Sequence, residues 1–409
     1  MFLFHKVDYI DMNDFFYNEQ LSIVLMGGYL SVLLLSWSLM AFGIKKWGKG
    51  WQVERPLNMP EKGALLSICI PARNEEKNIG QCVRAALNSR WPNIEVVVVD
   101  DRSEDQTSAR AKDAADGDAR FHLIQGEEPS VGWAGKPWTC ARAAKESRGS
   151  WLLFIDADVC LDPDAGAAAV MIAEERSLDL LSFFGKWTLL SFWESCLIPA
   201  VGWFIRGSIN FDHVNHPAKA DGFANGQFIL MRRSSYMEME GHSAVRDQVL
   251  EDVRLAQVVK RAGYRAEMRP ASWSFSVRLY TSFGEIVQGY TKNLYEGMNR
   301  NPIVGVAAVL FIVFGSIIPF VGFAGGLVSL YWGWTLLAPW MVLCLGIVSC
   351  LQLIFRLSIE RLDQRTGWYA LTHPIANIIL VFIILRSVFG VQASWKGRNF
   401  VDGKAEISP

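Results

Sequence analysis

Asp156-Ala157-Asp158 closes the apolar run Trp151–Ile155. Two carboxylates two residues apart at the end of a strand-like segment repel each other. Burying them is costly unless a cation or hydrogen-bond donors offset the charge. The residues alone leave two readings. One is a polar strand-to-loop junction, because Asp is common in turns. The other is part of an oxygen-ligand site for a hard divalent ion, Mg2+ or Mn2+, which could hold a diphosphate. A second acidic pair, Glu251-Asp252, precedes the helical run Val253–Lys260. Acids there complement the helix macrodipole; an acid held there can equally act as a general base. Further acids follow two other strand-like runs: Glu75 after Leu65–Ile70, and Asp100-Asp101 after Ile94–Val99.

From Leu65 to about residue 180, strand and helix patterns alternate. Strands are expected at 65–70, 94–99, 121–125 and 151–155, and helices at about 76–90, 105–116 and 137–147. That alternation predicts an α/β domain with a doubly wound, mostly parallel sheet. In such a sheet the strands' carboxyl ends share one edge, where open α/β sheets bind ligands. Glu75, Asp101, Asp156 and Asp158 therefore converge on one crevice. Neither Gly-x-Gly-x-x-Gly nor Gly-x-x-x-x-Gly-Lys-[Ser/Thr] follows the first strand. A dinucleotide fold and a P-loop are disfavoured, so phosphate charge falls to a metal and to basic side chains.

The formal charge of the 409-residue chain is −1, which gives no general field for nucleic acid. The seven cysteines include no Cys-x-x-Cys, so neither a zinc site nor a disulfide framework is expected. Hydrophobic residues make up 51% of the chain and concentrate toward its two ends. Residues 21–44 carry no charge and are long enough to cross a bilayer. Lys45, Lys46, Lys49 and Arg55 follow, so residues 1–20 are placed outside and the middle domain in the cytoplasm. Residues 303–355 hold no charged side chain and read as two spans, broken between Gly325-Gly326 and Trp334; 370–392 reads as another. Segments 189–206 and 279–300, rich in Trp, Phe and Tyr, read as interfacial helices, with an ordinary core helix as the alternative.

With these pieces in order, the chain resembles a membrane-bound family 2 glycosyltransferase with the GT-A fold. The resemblance is carried by Ile70-Pro71-Ala72-Arg73-Asn74-Glu75, Val99-Asp100-Asp101-Arg102-Ser103-x-Asp105, Gly135-Lys136, Asp156-Ala157-Asp158, Asn225-Gly226-Gln227 and Glu251-Asp252. It spans roughly residues 65–300, within an expected cytoplasmic domain of 65–278 and interfacial helix of 279–300. It implies that Pro71, Arg73 and Glu75 line the nucleotide cleft and that Asp101 meets the base. It places Lys136 near the phosphates and Asp156 and Asp158 on the metal. Residues 223–230 close the acceptor side. Of Glu251 and Asp252, it favours Asp252 as the base that takes the acceptor proton, with inversion at the anomeric carbon.

Polymer-making relatives carry Gln-x-x-Arg-Trp after the catalytic acid. Here the stretch reads Gln288-Gly289-Tyr290-Thr291-Lys292-Asn293, so the basic group survives as Lys292, which the resemblance implies can still face the diphosphate. Lysine lacks the planar bidentate fork of arginine. This form, with Gly132-Trp133-Ala134-Gly135-Lys136-Pro137-Trp138, is closer to bacterial transferases acting on carotenoid or other isoprenoid lipids. The expected activity is one sugar transferred from a nucleotide-sugar, a UDP-hexose, to a hydroxyl or carboxyl of a membrane lipid. The alternatives are a processive polysaccharide synthase, or a non-catalytic membrane scaffold or transport component. The expected location is the plasma membrane, with about three spans over 303–392 and a tail at 393–409.

Overall fold

The computed structural model describes residues 12–46, 49–248, 250–298, 300–334, 338–362, 365–389, 393–395, 398–401 and 404–405. The expected outer segment 1–20 and tail 393–409 lie partly outside these residues. Helix α1 spans Met12–Lys46. There follow β1 (Leu66–Ala72), α2 (Ile79–Leu87), β2 (Ile94–Asp100), α3 (Thr107–Ala115), β3 (Phe121–Gln125), α4 (Gly135–Glu146), β4 (Trp151–Phe154), β5 (Val159–Leu161) and α5 (Ala165–Glu175). Next come β6 (Leu180–Phe184), β7 (Lys186–Trp187), α6 (Phe192–Ser208), α7 (Phe211–Val214), β8 (Ile229–Arg232), α8 (Arg233–Glu238), α9 (Glu251–Arg261), β9 (Ala266–Pro270) and β10 (Phe275–Val277). Helices α10 (Phe283–Gly297), α11 (Pro302–Ile312), α12 (Ile318–Trp332), α13 (Ala338–Leu362) and α14 (His373–Val388) complete the helical part.

The main sheet has seven strands in the order β3-β2-β1-β4-β8-β6-β9. Strands β1, β2, β3 and β4 run parallel, β8 is antiparallel to both its neighbours, and β6 pairs β9 in parallel. The expected doubly wound, mostly parallel sheet is found. Strand β2, Ile-Glu-Val-Val-Val-Val-Asp, is buried throughout, as a parallel strand covered on both faces must be. Its one internal acid, Glu95, is 2% exposed and accepts from Ser67 Oγ at 2.6 Å and from the Arg148 N–H at 2.6 Å. Those donors offset the cost of burying the charge. Ala-rich α5 lets the helix lie close on the sheet, with Ala165, Ala167 and Ala169 fully buried.

A small second sheet, ordered β5-β10-β7, hangs from the end of β4. Val159, Val277 and Trp187 lie in one row across it. Helices α6 and α10 each start on a serine whose hydroxyl accepts the N–H three residues on: Ser191 from Glu194, Ser282 from Glu285. In α6 the Glu194 carboxylate also accepts from the Ser191 N–H, completing a capping box. It is bridged by Arg278 at 2.8 Å.

The chain divides into two compact units, one of Lys46–Val309 with Ile379–Pro409, the other of Met1–Lys45 with Leu310–Ile378. Among the described residues, three helical stretches are long and apolar enough to cross a membrane: Pro302–Trp332, Ala338–Arg361 and Trp368–Val388. The first is continuous through a π-helical turn at Val313–Ile317, so the break between the two spans falls after Trp332. In α1 the described apolar portion is Val24–Met40. In the second unit the carbonyl of Gly315, in the π-turn, accepts from Trp37 Nε1 and Gln352 Nε2, both at 3.0 Å. Ser316, Gln352, His373 and Asn377 form a buried polar cluster beside it. Polar groups buried between apolar helices hold them in register by satisfying one another.

Candidate active site

The loops after β1 and β2 form one side of the cleft. Two residues in them, Asn74 (φ 51°) and Arg102 (φ 55°), adopt the left-handed region. Asn tolerates this conformation; for Arg it costs about 1–2 kcal/mol. Side chains tie the loops together across the gap. The Asn74 N–H donates to Ser103 Oγ at 2.9 Å, the Glu104 N–H to Asn74 Oδ1 at 2.9 Å, and the Glu75 N–H to Thr107 Oγ1 at 2.7 Å. Asp100 is taken up by this lacing, accepting from the Ser103 N–H and the Ser108 hydroxyl. Asp101, 3% exposed, sits between two cations, Arg102 Nε at 3.6 Å and Arg73 Nη1 at 3.9 Å. Arg73 also donates to the Asp101 carbonyl at 3.0 Å.

The other side is built where β4 ends and α4 and α9 begin. Lys136, in the first turn of α4, places Nζ 2.7 Å from Asp156 Oδ1 and 2.8 Å from Glu251 Oε1. One ammonium thus joins the acid after β4 to the acid that starts α9, although 95 positions separate Asp156 from Glu251 in sequence. Burial works against the charge on Lys136, but Asp156 and Glu251 outweigh it and hold its pKa well above the usual lysine value. Asp252, next in the turn, accepts from the Gly226 N–H at 2.8 Å through Oδ2. Burial, then the Glu251 carboxylate, push its carboxyl up to about 6, while Lys136 and the Val253 and Gly226 N–H groups oppose the rise. A carboxyl near 6 is suited to accept a proton at neutral pH.

Gly226 leaves room for this close packing. A Cβ there would lie 3.0 Å from Lys136 Nζ and 3.1 Å from Asp252 Oδ2. Lys292 comes from α10. Burial lowers its pKa, Glu251, Asp252 and Asp156 raise it, and Lys136 lowers it further, which places it within electrostatic reach of the whole cluster. Gln288, one turn earlier on α10, is exposed.

Pro71, Lys136, Asp156, Gly226 and Glu251 line a single cleft, and His242 and Cys140 complete its wall. Arg73, Glu75 and Asp101 stand at the ends of the neighbouring strands β1 and β2. His242 has no signature in the sequence. It is 2% exposed, its Nδ1 lies 2.9 Å from Tyr236 Oη, and its ring meets Phe154 edge-on at 4.8 Å. Burial and the Lys136 ammonium push its pKa down to about 3, so the ring is neutral. A second group not expected from sequence is Tyr280, whose hydroxyl is pushed up by burial and by the Asp158 carboxylate.

Asp156 and Asp158 offer only oxygen donors, which suits Mg2+ or Mn2+. Among the described residues no group of three or more His, Cys, Asp or Glu is placed to hold an ion. The pair fits an ion that completes its shell with diphosphate oxygens and water, and does not fit an all-protein cage.

Residues 67–238 match the model for glycosyl transferase family 2. These residues form a glycosyl transferase family 2 domain. Among curated relatives of this glycosyltransferase, 4,4'-diaponeurosporenoate glycosyltransferase of Staphylococcus haemolyticus is 26% identical over 263 residues, covering 63% of this chain and 68% of the relative. The protein of the same name from Staphylococcus aureus (strain MRSA252) is 23% identical over 369 residues, covering 86% of this chain and 92% of the relative. Among solved structures, the mannosyltransferase PcManGT from Pyrobaculum calidifontis, in complex with GDP-Man and Mn2+, superposes with a TM-score of 0.51 at 19% identity, covering 88% of this chain and 98% of that one. The likeness shows the GT-A fold, and the family 2 domain makes the chain an enzyme.

Proposed function

We propose that the enzyme transfers one sugar from a nucleotide-sugar, a UDP-hexose, to a hydroxyl or carboxyl of a membrane lipid, with inversion. The observation that carries this reading is the Lys136 ammonium held between Asp156 and Glu251, with Asp252 beside it. In this assignment Pro71, Arg73, Glu75 and Asp101 hold the nucleoside. Lys136 and Lys292 face the diphosphate and offset its charge. Asp156 and Asp158 hold Mg2+ or Mn2+, which when bound neutralises the leaving diphosphate. Asp252 takes the acceptor proton, and the Gly226 N–H orients its carboxylate.

The lipid acceptor is supported by the names of the Staphylococcus relatives and by a surface on α6 and α10. Leu190 (70% exposed), Phe192 (49%), Trp193 (38%) and Phe283 (38%) stand out from the starts of these helices. The Trp193 and Phe283 rings meet at 4.8 Å. An exposed aromatic cluster of this kind is at home in a lipid headgroup layer. The three apolar stretches after Pro302 are read as spans of the plasma membrane, with residues 65–278 on the cytoplasmic side, and 189–206 and 279–300 at the interface.

The test is Asp252→Asn in the purified enzyme. Removing a positioned general base lowers turnover by about 10²–10⁴, with donor binding retained. Turnover equal to the unmodified enzyme would overturn the assignment. Mass spectrometry of lipids from cells with and without the gene identifies the acceptor, as a lipid that loses a single hexose. A ladder of longer products would instead indicate a processive synthase.

A further inference from the structure

A cavity of about 340 Å³ opens at the opposite edge of the sheet, where β6 and β9 begin, and it is lined by Trp51, Arg176, Asp212, His216, Arg265 and Glu267 among others. Its size falls within the range of small-molecule sites. The polar groups around it are unequally committed. Glu267 is consumed: Arg176 donates to it through Nε at 3.0 Å and Nη2 at 2.8 Å, and Arg269 through Nε at 2.9 Å. Asp212 Oδ1 accepts from Trp51 Nε1 at 2.7 Å.

Donors remain. The backbone N–H of Arg265 is used by Asp179, but its guanidinium makes no hydrogen bond or ion pair among the described residues. His216 Nδ1 accepts the Ala218 N–H at 3.2 Å, which leaves the proton of the neutral ring on Nε2 as a donor. Two guanidinium groups (Arg176, Arg265) and two carboxylates (Asp212, Glu267) line the cavity, and with Arg176 committed to Glu267, Arg265 is the lining cation left to meet a ligand. A neutral sugar needs acceptors as well as donors, and Asp212 Oδ2 is the one carboxylate oxygen left over. A tetrahedral oxyanion needs donors alone and suits the planar fork of arginine.

We propose that this cavity binds a phosphate group, with Arg265 and His216 as its principal contacts. The phosphate has two possible sources, a free anion or the headgroup of an acidic phospholipid. Trp51 follows the apolar helix α1 closely, just after Lys45, Lys46 and Lys49, a setting in which a headgroup is at hand.

The experiment compares full-length enzyme with Arg265→Gln and with Arg265→Gln/His216→Ala. Neither residue belongs to the catalytic cleft, so unchanged donor turnover certifies that the variants fold. In detergent, inorganic phosphate is titrated and followed by phosphorus NMR. In a parallel arm, native mass spectrometry counts phosphatidylglycerol against phosphatidylcholine retained from mixed nanodiscs. Phosphate binding about fivefold weaker in Arg265→Gln assigns a free-anion site. Loss of retained phosphatidylglycerol in the variant, with phosphatidylcholine unchanged, assigns a headgroup site. Binding that is independent of Arg265 in both arms overturns the proposal.

Discussion

At the scale of single residues, the cluster around Lys136 is one electrostatic unit. Asp252 has its carboxyl raised to about 6 from an ordinary 3.8 by burial and by Glu251. As a general base it must be ionised, so kcat is expected to rise with pH and level off above about 6; an acid limb near 4 would mean the base lies elsewhere. The same shift bears on stability. Between about pH 4 and 6 the folded state keeps a proton the unfolded chain has lost, so stability falls as pH rises through that window. Asp252→Asn removes that penalty and is expected to raise Tm at pH 7.5 while lowering turnover by about 10²–10⁴. Gly226→Ala puts a methyl against Lys136 Nζ and Asp252 Oδ2. Both neighbours are side-chain ends that can shift, so the expected outcome is a near-native Tm with kcat lowered by at least about tenfold, the cost of a small misplacement at a catalytic group. Asp156, Asp158, Glu251 and Asp252 stood out in the sequence as acids at strand or helix ends, and Lys136 through the family resemblance. His242 was not, because a lone histidine between ordinary residues carries no pattern; its place in the cleft wall follows from packing against Phe154 and Tyr236.

At the scale of elements, α6 depends on Glu194. This carboxylate is fully buried, closes the capping box on Ser191 and is bridged by Arg278. Burial raises its pKa, and Arg278, the Leu190 N–H and the Ser191 side chain bring it down to about 2, below the ordinary 4.5. Its stabilising contribution is therefore complete above about pH 4.5 and is lost as pH falls toward 2. Glu194→Ala removes the cap and leaves Arg278 without its bridge, at a cost of about 2 kcal/mol. That corresponds to a Tm lower by about 4–8 °C; an unchanged Tm would show that the cap contributes nothing. The strands and helices of the α/β region were legible from alternation, because β-branched runs and Ala-rich helices differ in period. The direction of β8 was not, since Ile229–Arg232 reads the same whether it runs with its neighbours or against them.

At the scale of the whole molecule, the three apolar stretches predict that the enzyme sediments with membranes and stays there through an alkaline carbonate wash. Release by the wash would mean that the helices lie on the surface of the bilayer. For orientation, the basic residues after α1 predict that trypsin digests residues 65–278 in inverted vesicles and spares them in right-side-out ones. The apolar runs themselves were plain in the sequence. The break expected between Gly325-Gly326 and Trp334 falls at the end of that region, after Trp332, because Gly325 and Gly326 stay inside α12, where Gly326 is buried against α13.

Read alone, the sequence determined the kind of chemistry. Acids spaced at strand ends, a lysine at a helix start and apolar runs of bilayer length are local patterns, set by side-chain type and periodicity. Which groups touch was decided by the tertiary structure. Lys136 meets Asp156 and Glu251 because β4 ends, and α4 and α9 begin, on the same edge of the sheet. The glycine at 226, the neutral His242 and the donor-rich cavity near Trp51 are likewise products of distant segments brought together, and contacts between distant segments leave no period in a chain.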